Sequence, residues 1–148
     1  MNWPPLEANE ILLPDPDPSE VLYRAISPVF LQQGTVDPDA FSLSTSERPP
    51  NPAKLSVARA ALVDADVVRD EHNHLRPGAC AEVRGVTVEQ VDRTGLLRAI
   101  DDSRNVDTVT GHASIDCRLL VAEPRRRRQF VREVLAQAAS DNPRFDTH

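Results

Sequence analysis

The chain is patterned as short apolar runs, each closed by a glycine, a proline or a polar cluster, and only its C-terminal end carries a long helical stripe. "VLYRAI" (21–26) is rich in β-favouring side chains and is closed by Pro28, which predicts a strand. Alternation puts Leu22, Arg24 and Ile26 on one face of it, and Val21, Tyr23 and Ala25 on the other. In "VDPDAF", Asp37 stands as an N-cap with Pro38 at the first helical position, so a short helical turn is expected. "KLSVA" (54–58) predicts a second strand, residues 64–72 a helix, and "CAEVRG" (80–85) a strand closed by Gly85. Thr87 and Gln90 stand at capping-box spacing and Gly95 follows, the signature of a short helix. "LLRAIDDS" (96–103) and "GHASIDCRLL" (111–120) predict two further strands.

The last helix is expected over 124–139. Advancing 100° per residue from Phe130 gathers Val134, Ala138, Val131 and Leu135 into one stripe centred about 80° away. Arg125 and Arg132 then face solvent, Arg126 and Arg128 flank the stripe, and Arg127 falls within it at about 60°, where it needs an anion. Cations also oppose the helix dipole in the first turn, by roughly 0.3–1 kcal/mol each. Propensity and packing therefore leave the run "RRRR" unexplained.

The resulting order is strand, turn, strand, helix, strand, helix, strand, strand, helix. It predicts an α+β fold: a single compact domain with a mixed or antiparallel sheet covered by helices. Ten of the 13 prolines lie in the first 52 residues. Residues 1–19 are accordingly expected as an extended acidic arm whose Ile11, Leu12 and Leu13 dock on the domain or on a partner. Residues 20–140 form the domain, and 141–148 are expected as a disordered tail. A length of 148 residues fits one domain.

Charge adds an asymmetry. The total is -6, yet residues 118–132 carry six arginines against Glu123, a local +5. Setting that +5 aside from the total leaves -11 on the rest of the chain, which repels a nucleic-acid backbone. One Trp, one Tyr and four Phe also provide little for base stacking. Cys80 and Cys117 are the only cysteines, no apolar run approaches the length of a membrane span, and a cytoplasmic protein with reduced thiols is expected.

Candidate chemistry falls into three groups. Arg24, the "STS" of residues 44–46 and Glu82 stand in an order that resembles one class of mono-ADP-ribosyltransferases. The resemblance implies that the arginine binds dinucleotide phosphates, the Ser-Thr-Ser shapes a nicotinamide pocket and the glutamate positions the attacking group. The paired acid of that class is missing, since Cys80 and Ala81 precede Glu82. "EHNHLRPGAC" offers His72, His74 and Cys80, but the spacing fits solvated histidines in an exposed turn better than a convergent site, and no metal is assigned. "GHASID" places His112 and Ser114 on one side of a strand, similar to the His-x-Ser/Thr signature of the two-histidine phosphoesterases, whose imidazoles work as acid and base; this chain has a single copy. His112 is the leading functional candidate, because it follows a polar loop held between two strands.

Taken together, "LYRAISP", "AFS", "LSV" and "DDS…GHASI" resemble a group of small bacterial proteins with an arginine-and-proline first strand, a Leu-Ser-Val segment and a late aspartate before His-Ala. That group has no established activity. The resemblance implies only that Arg24, Asp101 or Asp102, and His112 meet on one surface.

The leading functional expectation is a noncatalytic accessory protein that docks a larger bacterial partner through its acidic arm or its arginine-rich helix start. Arg125, Arg126, Arg127, Arg128 and Arg132 are then the binding residues. The alternative is a small enzyme acting on a nucleotide or phosphate-containing substrate, with Arg24, His112 and Glu82 as its catalytic candidates. Nucleic-acid binding through residues 125–132 comes third. No cofactor is called for, a protein partner is expected, and nucleic acid and membrane are disfavoured.

Overall fold

The computed structural model describes residues 3–14, 16–44, 47–49, 52–104 and 110–146. In chain order the strands are β1 (Ile11–Leu12), β2 (Val21–Ile26), β3 (Leu31–Gln32), β4 (Thr35–Val36), β5 (Lys54–Arg59), β6 (Glu82–Thr87), β7 (Arg98–Asp101) and β8 (His112–Asp116). The helices are α1 (Ala65–Leu75), α2 (Val88–Asp92) and α3 (Arg125–Asp141), with 3-10 turns at Pro28–Phe30, Pro38–Phe41 and Leu120–Ala122. Six strands form one sheet in the order β1-β7-β8-β5-β2-β6, every neighbouring pair antiparallel, and β3 and β4 form a separate hairpin. The architecture is α+β.

Local signals account for several of these elements. The Thr87 hydroxyl accepts from Gln90 N–H while the Gln90 side chain accepts from Thr87 N–H, a complete capping box that starts α2. Asp37 accepts from Asp39 N–H and opens the turn Pro38–Phe41. Leu22 and Ile26 are fully buried on one face of β2, as alternation requires.

The sheet has two unlike faces. Leu22, Ile26, Leu55, Val57, Val86, Ala113 and Ile115 point into the main core, closed by α2, α3 and Phe41. On the opposite face, α1 covers Tyr23, Ala25, Ala58 and Val83, a smaller apolar cluster. That helix packs over β2 and β6. The β5-β8-β7 part of the same face is therefore left to other groups.

One of those groups is the N-terminal arm. Of the two docking sites expected for Ile11, Leu12 and Leu13, the arm takes the domain itself: β1 pairs with β7 (Ile11 opposite Asp101, Leu12 opposite Ile100) and Leu13 is buried in the main core. Leu13 N–H donates to Ala99 O, which extends the pairing. The preceding residues hold the sheet through Arg98, which donates to Pro4 O at 2.6 Å and lies 4.9 Å from the Trp3 ring centroid. Glu10 pairs with Lys54 on β5. Prolines exclude regular structure over most of the arm, but its buried Leu13 and the unpaired edge of β7 supply a reason to dock.

The C-terminal segment differs from expectation. Asp146 is 0% exposed and accepts from Val83 N–H at 2.9 Å, Phe145 packs tilted against Tyr23 with ring centroids 5.3 Å apart, and Asn142 donates to Gly85 O. Thr147 and His148 lie outside the described residues. Gly85 does not close its strand as predicted; β6 runs on to Thr87. A Cβ at Gly85 would stand 2.5 Å from Val21 Cγ1 on β2 and 3.0 Å from Phe145 Cε2, so the glycine leaves room first for Val21 and then for the tail. Gly85→Ala is expected to destabilise the protein by about 1–3 kcal/mol through this overlap. The urea midpoint measures it, and an unchanged midpoint would show that neither Val21 nor Phe145 packs against β6 this closely.

Candidate functional site

Antiparallel register brings three strands' side chains into one row. Ser56 on β5 lies directly opposite Ser114 on β8, and Ala58 lies opposite His112. Ser56 and His112 are thus diagonal neighbours on one face, within reach of each other. On the other side of β8, Asp101 of β7 is opposite Ala113, which sets Asp102 just past the end of β7, beside His112. The core-facing positions Leu55, Val57, Ala113 and Ile115 alternate with these polar ones, so burial of the apolar set fixes which face the polar set occupies.

The row is a continuous hydrogen-bond relay. Ser56 Oγ stands 2.5 Å from His112 Nε2, His112 Nδ1 stands 2.5 Å from Asp102 Oδ1, and Ser114 Oγ donates to Asp102 Oδ2 at 2.7 Å. A carboxylate only accepts, so Nδ1 carries the proton. In neutral imidazole, Nε2 is then the acceptor and the Ser56 hydroxyl the donor. Burial pushes the Asp102 carboxyl up, but the bonds from His112 and Ser114, with the His112 and Lys54 charges, outweigh it and hold the group below its usual range. The His112 and Asp102 side chains are each 14% exposed, whereas Ser56 is open to solvent. This is the arrangement of nucleophile, base and orienting acid.

On its other side Ser56 has no strand partner. The register of β2 with β5 covers only Leu22 opposite Arg59 and Tyr23 opposite Ala58, and beyond that point side chains replace the missing bonds. Arg24 donates to Ser56 O at 2.7 Å and to Ala40 O at 3.1 Å, while Glu47 accepts from Ser56 N–H at 2.8 Å and lies 3.6 Å from Arg24. Burial pushes the Arg24 guanidinium down, and Glu47 pulls it back. Where the strands part, a cleft of about 30 Å³ opens towards α1, bordered by Tyr23, Ser56, Glu71 and His72. That volume holds a water and no substrate.

His112 reaches the Ser56 hydroxyl on the face away from the main core, with Asp102 behind it, whereas Arg24 shares the core face with Leu22 and Ile26 and touches Ser56 only at its carbonyl, so the three side chains do not meet on one surface. Asp101 faces the other way from Asp102. It accepts from Arg59 at 2.6 Å, in a buried cluster where Arg59 also grips both oxygens of Glu20. Glu82 is not part of the site: it stands on edge strand β6, three strands from β8, about 14 Å at the usual interstrand spacing, and pairs with Arg84 and Arg144. Thr45 and Ser46 of the Ser-Thr-Ser segment lie outside the described residues. His72 belongs to α1, which runs on to Leu75, and its Nδ1 meets Val68 O. Among the described residues, no three His, Cys, Asp or Glu side chains are placed to share a metal ion. Burial pushes the Cys80 thiol up to about 11 and the Cys117 thiol up to about 12, which keeps both out of nucleophilic chemistry.

The arginine run is redistributed. The buried face of α3 is Val131, Leu135, Ala136 and Ala139, while Phe130 is 63% exposed. The apolar stripe is turned away from the expected direction because small alanines let the helix lie close to the sheet on that side. Arg127 consequently sits on the solvent side, and its anion is Glu123 at 3.5 Å, one residue before Pro124, rather than the acidic arm. Arg125 and Arg126 are exposed, and Arg128 and Arg132 are half-buried at the rim of a groove. Among the described residues no helix is long and apolar enough to cross a membrane.

No known family, curated protein or solved structure matches the chain. Ser56 is the residue that sequence reasoning passed over. Its signal was a hydroxyl in mid-strand on the face opposite Leu55 and Val57, within the same "LSV" that carries the resemblance.

Asp101, Asp102, Asp116 and Asp146 share one electrostatic pattern. Burial raises each carboxyl, and hydrogen bonds from arginines, backbone N–H groups, hydroxyls or His112 more than reverse it, so all four lie below the usual value of 3.8. A depressed folded value gives stability that is present above the unfolded value and lost as pH falls through the folded one. The urea midpoint is expected to stay level down to about pH 4 and to drop steadily towards pH 2. A midpoint that holds at pH 2 would contradict these pairings.

Proposed function

We propose that this chain is a small esterase-type hydrolase in which Ser56 is the nucleophile, His112 the general base and Asp102 the group that orients it. The observation that carries this reading is the unbroken relay from Ser56 Oγ through both nitrogens of His112 to Asp102, with the serine end exposed. Ser56 Oγ attacks an ester carbonyl carbon while its proton passes to His112 Nε2, and the imidazolium returns that proton to the departing alcohol as the ester C–O bond breaks. Water, deprotonated by the same nitrogen, then releases the acyl group and restores the serine.

Two features narrow the chemistry. The guanidinium of Arg24, expected as a phosphate ligand, is taken up by Ser56 O, Ala40 O and Glu47, which favours acyl over phosphoryl transfer. Ser56 N–H is held by Glu47 and is not free to answer the developing oxyanion, and Lys54, on the same face, is engaged by Glu10. The cleft beside Ser56 takes only a water, and the ester must reach the hydroxyl from the solvent side.

A second reading, docking to a protein partner, draws on a different surface from the one expected. Phe130 and Val134 are exposed on the outer side of α3, beside Leu96, Arg93 and Arg127.

A fluorophosphonate probe separates the two. Intact-mass and peptide mapping are expected to find one adduct, on Ser56, and labelling of His112→Ala is expected to slow by about 100-fold or more, in line with loss of a general base. Wild-type protein that labels no faster than Ser56→Ala would remove the enzyme reading and leave docking.

A further inference from the structure

A groove of about 480 Å³ runs between the N-terminal half of α3, the turn Leu120–Ala122 and the segment after Phe41, on the core side of the sheet and away from the Ser56 hydroxyl. Phe41, Leu43, Leu120 and Val121 give it an apolar part, and Ser42, Arg48, Pro49 and Cys117 complete the wall facing α3. Its α3 rim carries Arg128 and Arg132, one helical turn apart, with Cβ atoms about 5–6 Å from each other. Both arginines are half-buried, and among the described residues neither has a carboxylate within ion-pair distance. This contrasts with the neighbouring Arg127, which has Glu123, and with Arg24, Arg59, Arg84, Arg98, Arg118 and Arg144, each of which has an acid.

We infer that this groove binds a small amphipathic carboxylate, an acyl chain or comparable apolar body ending in one anionic group. Two guanidinium groups one turn apart present forked donors that fit a single carboxylate. Half-burial strengthens them, since the groove wall displaces water on one side. The apolar part continues from the arginines and removes a hydrocarbon body from water. The volume suits a small molecule and falls in the range of ordinary ligand sites. The site is independent of the Ser56 relay, because it uses no residue of that relay.

Octanoate is the probe, titrated into the full-length protein and followed calorimetrically and by amide chemical shifts. It is expected to bind with a Kd of about 1 mM or below, and 1-octanol and acetate at least about tenfold more weakly, because each lacks one half of the recognition. Shifts should concentrate at Phe41, Leu43, Leu120 and Val121. Arg128→Gln/Arg132→Gln keeps the stem length and removes both charges at a half-exposed rim; it is expected to leave the thermal transition in place and to weaken octanoate by about tenfold or more. Failure of octanoate to saturate by about 10 mM, or a loss below about threefold in the double variant, would overturn the assignment. Octanol binding as tightly as octanoate would do the same.

Discussion

The early parting of β2 and β5 is the constraint on which the candidate site depends. Backbone groups left where a neighbouring strand ends turn to other partners, and here side chains supply them. Arg24 and Glu47 do so for the carbonyl and the N–H of Ser56. Had β2 continued in register, Ala25 would have met Ser56 and no side chain would be needed there. Because it does not, the strand carrying Ser56 is bonded from one side by charged groups, while its hydroxyl remains open above the sheet. The arginine that a sequence reader takes for a ligand-binding group is thereby explained as support.

Two consecutive aspartates show how the same sheet divides its charges. Asp101 turns to the core side and closes the Arg59–Glu20 cluster, whereas Asp102 turns to the opposite side and orients His112. Breaking such a buried pair from one side leaves an uncompensated charge, a cost of several kcal/mol. Asp101 is accordingly committed to the fold, and Asp102 is free to serve the imidazole. The N-terminal arm and α1 flank the relay on the same face, the arm through Glu10 on Lys54 and the helix through its packing on Tyr23 and Ala58. Neither covers Ser56.

Most of the fold was legible because its signals are local. The capping box at Thr87, the Asp37-Pro38 turn and the β-rich run 21–26 each act within a few residues, and the element order follows from them. What escaped was long-range. The docking of Leu13 was foreseen without its place, the edge of β7, and the burial of Asp146 on Val83 N–H depends on a backbone group that only the assembled sheet presents. The face of α3 was misread because hydrophobicity favours Phe130 inside, while close packing favours Ala136 and Ala139. His112 could be singled out from its position after a polar loop, but Ser56 could not, since its role comes from a diagonal register between strands 56 residues apart. The choice between Asp101 and Asp102 likewise required knowing where β7 ends.

The central claim is that Asp102 fixes His112 with its proton on Nδ1, leaving Nε2 to accept from Ser56. Nitrogen-15 and proton NMR of the imidazole reads this directly. The account predicts a neutral Nδ1–H tautomer with a strongly downfield proton that disappears in Asp102→Asn, while Ser56→Ala leaves it in place. A neutral ring found as the Nε2–H tautomer would make His112 a donor to Ser56, and would contradict the account.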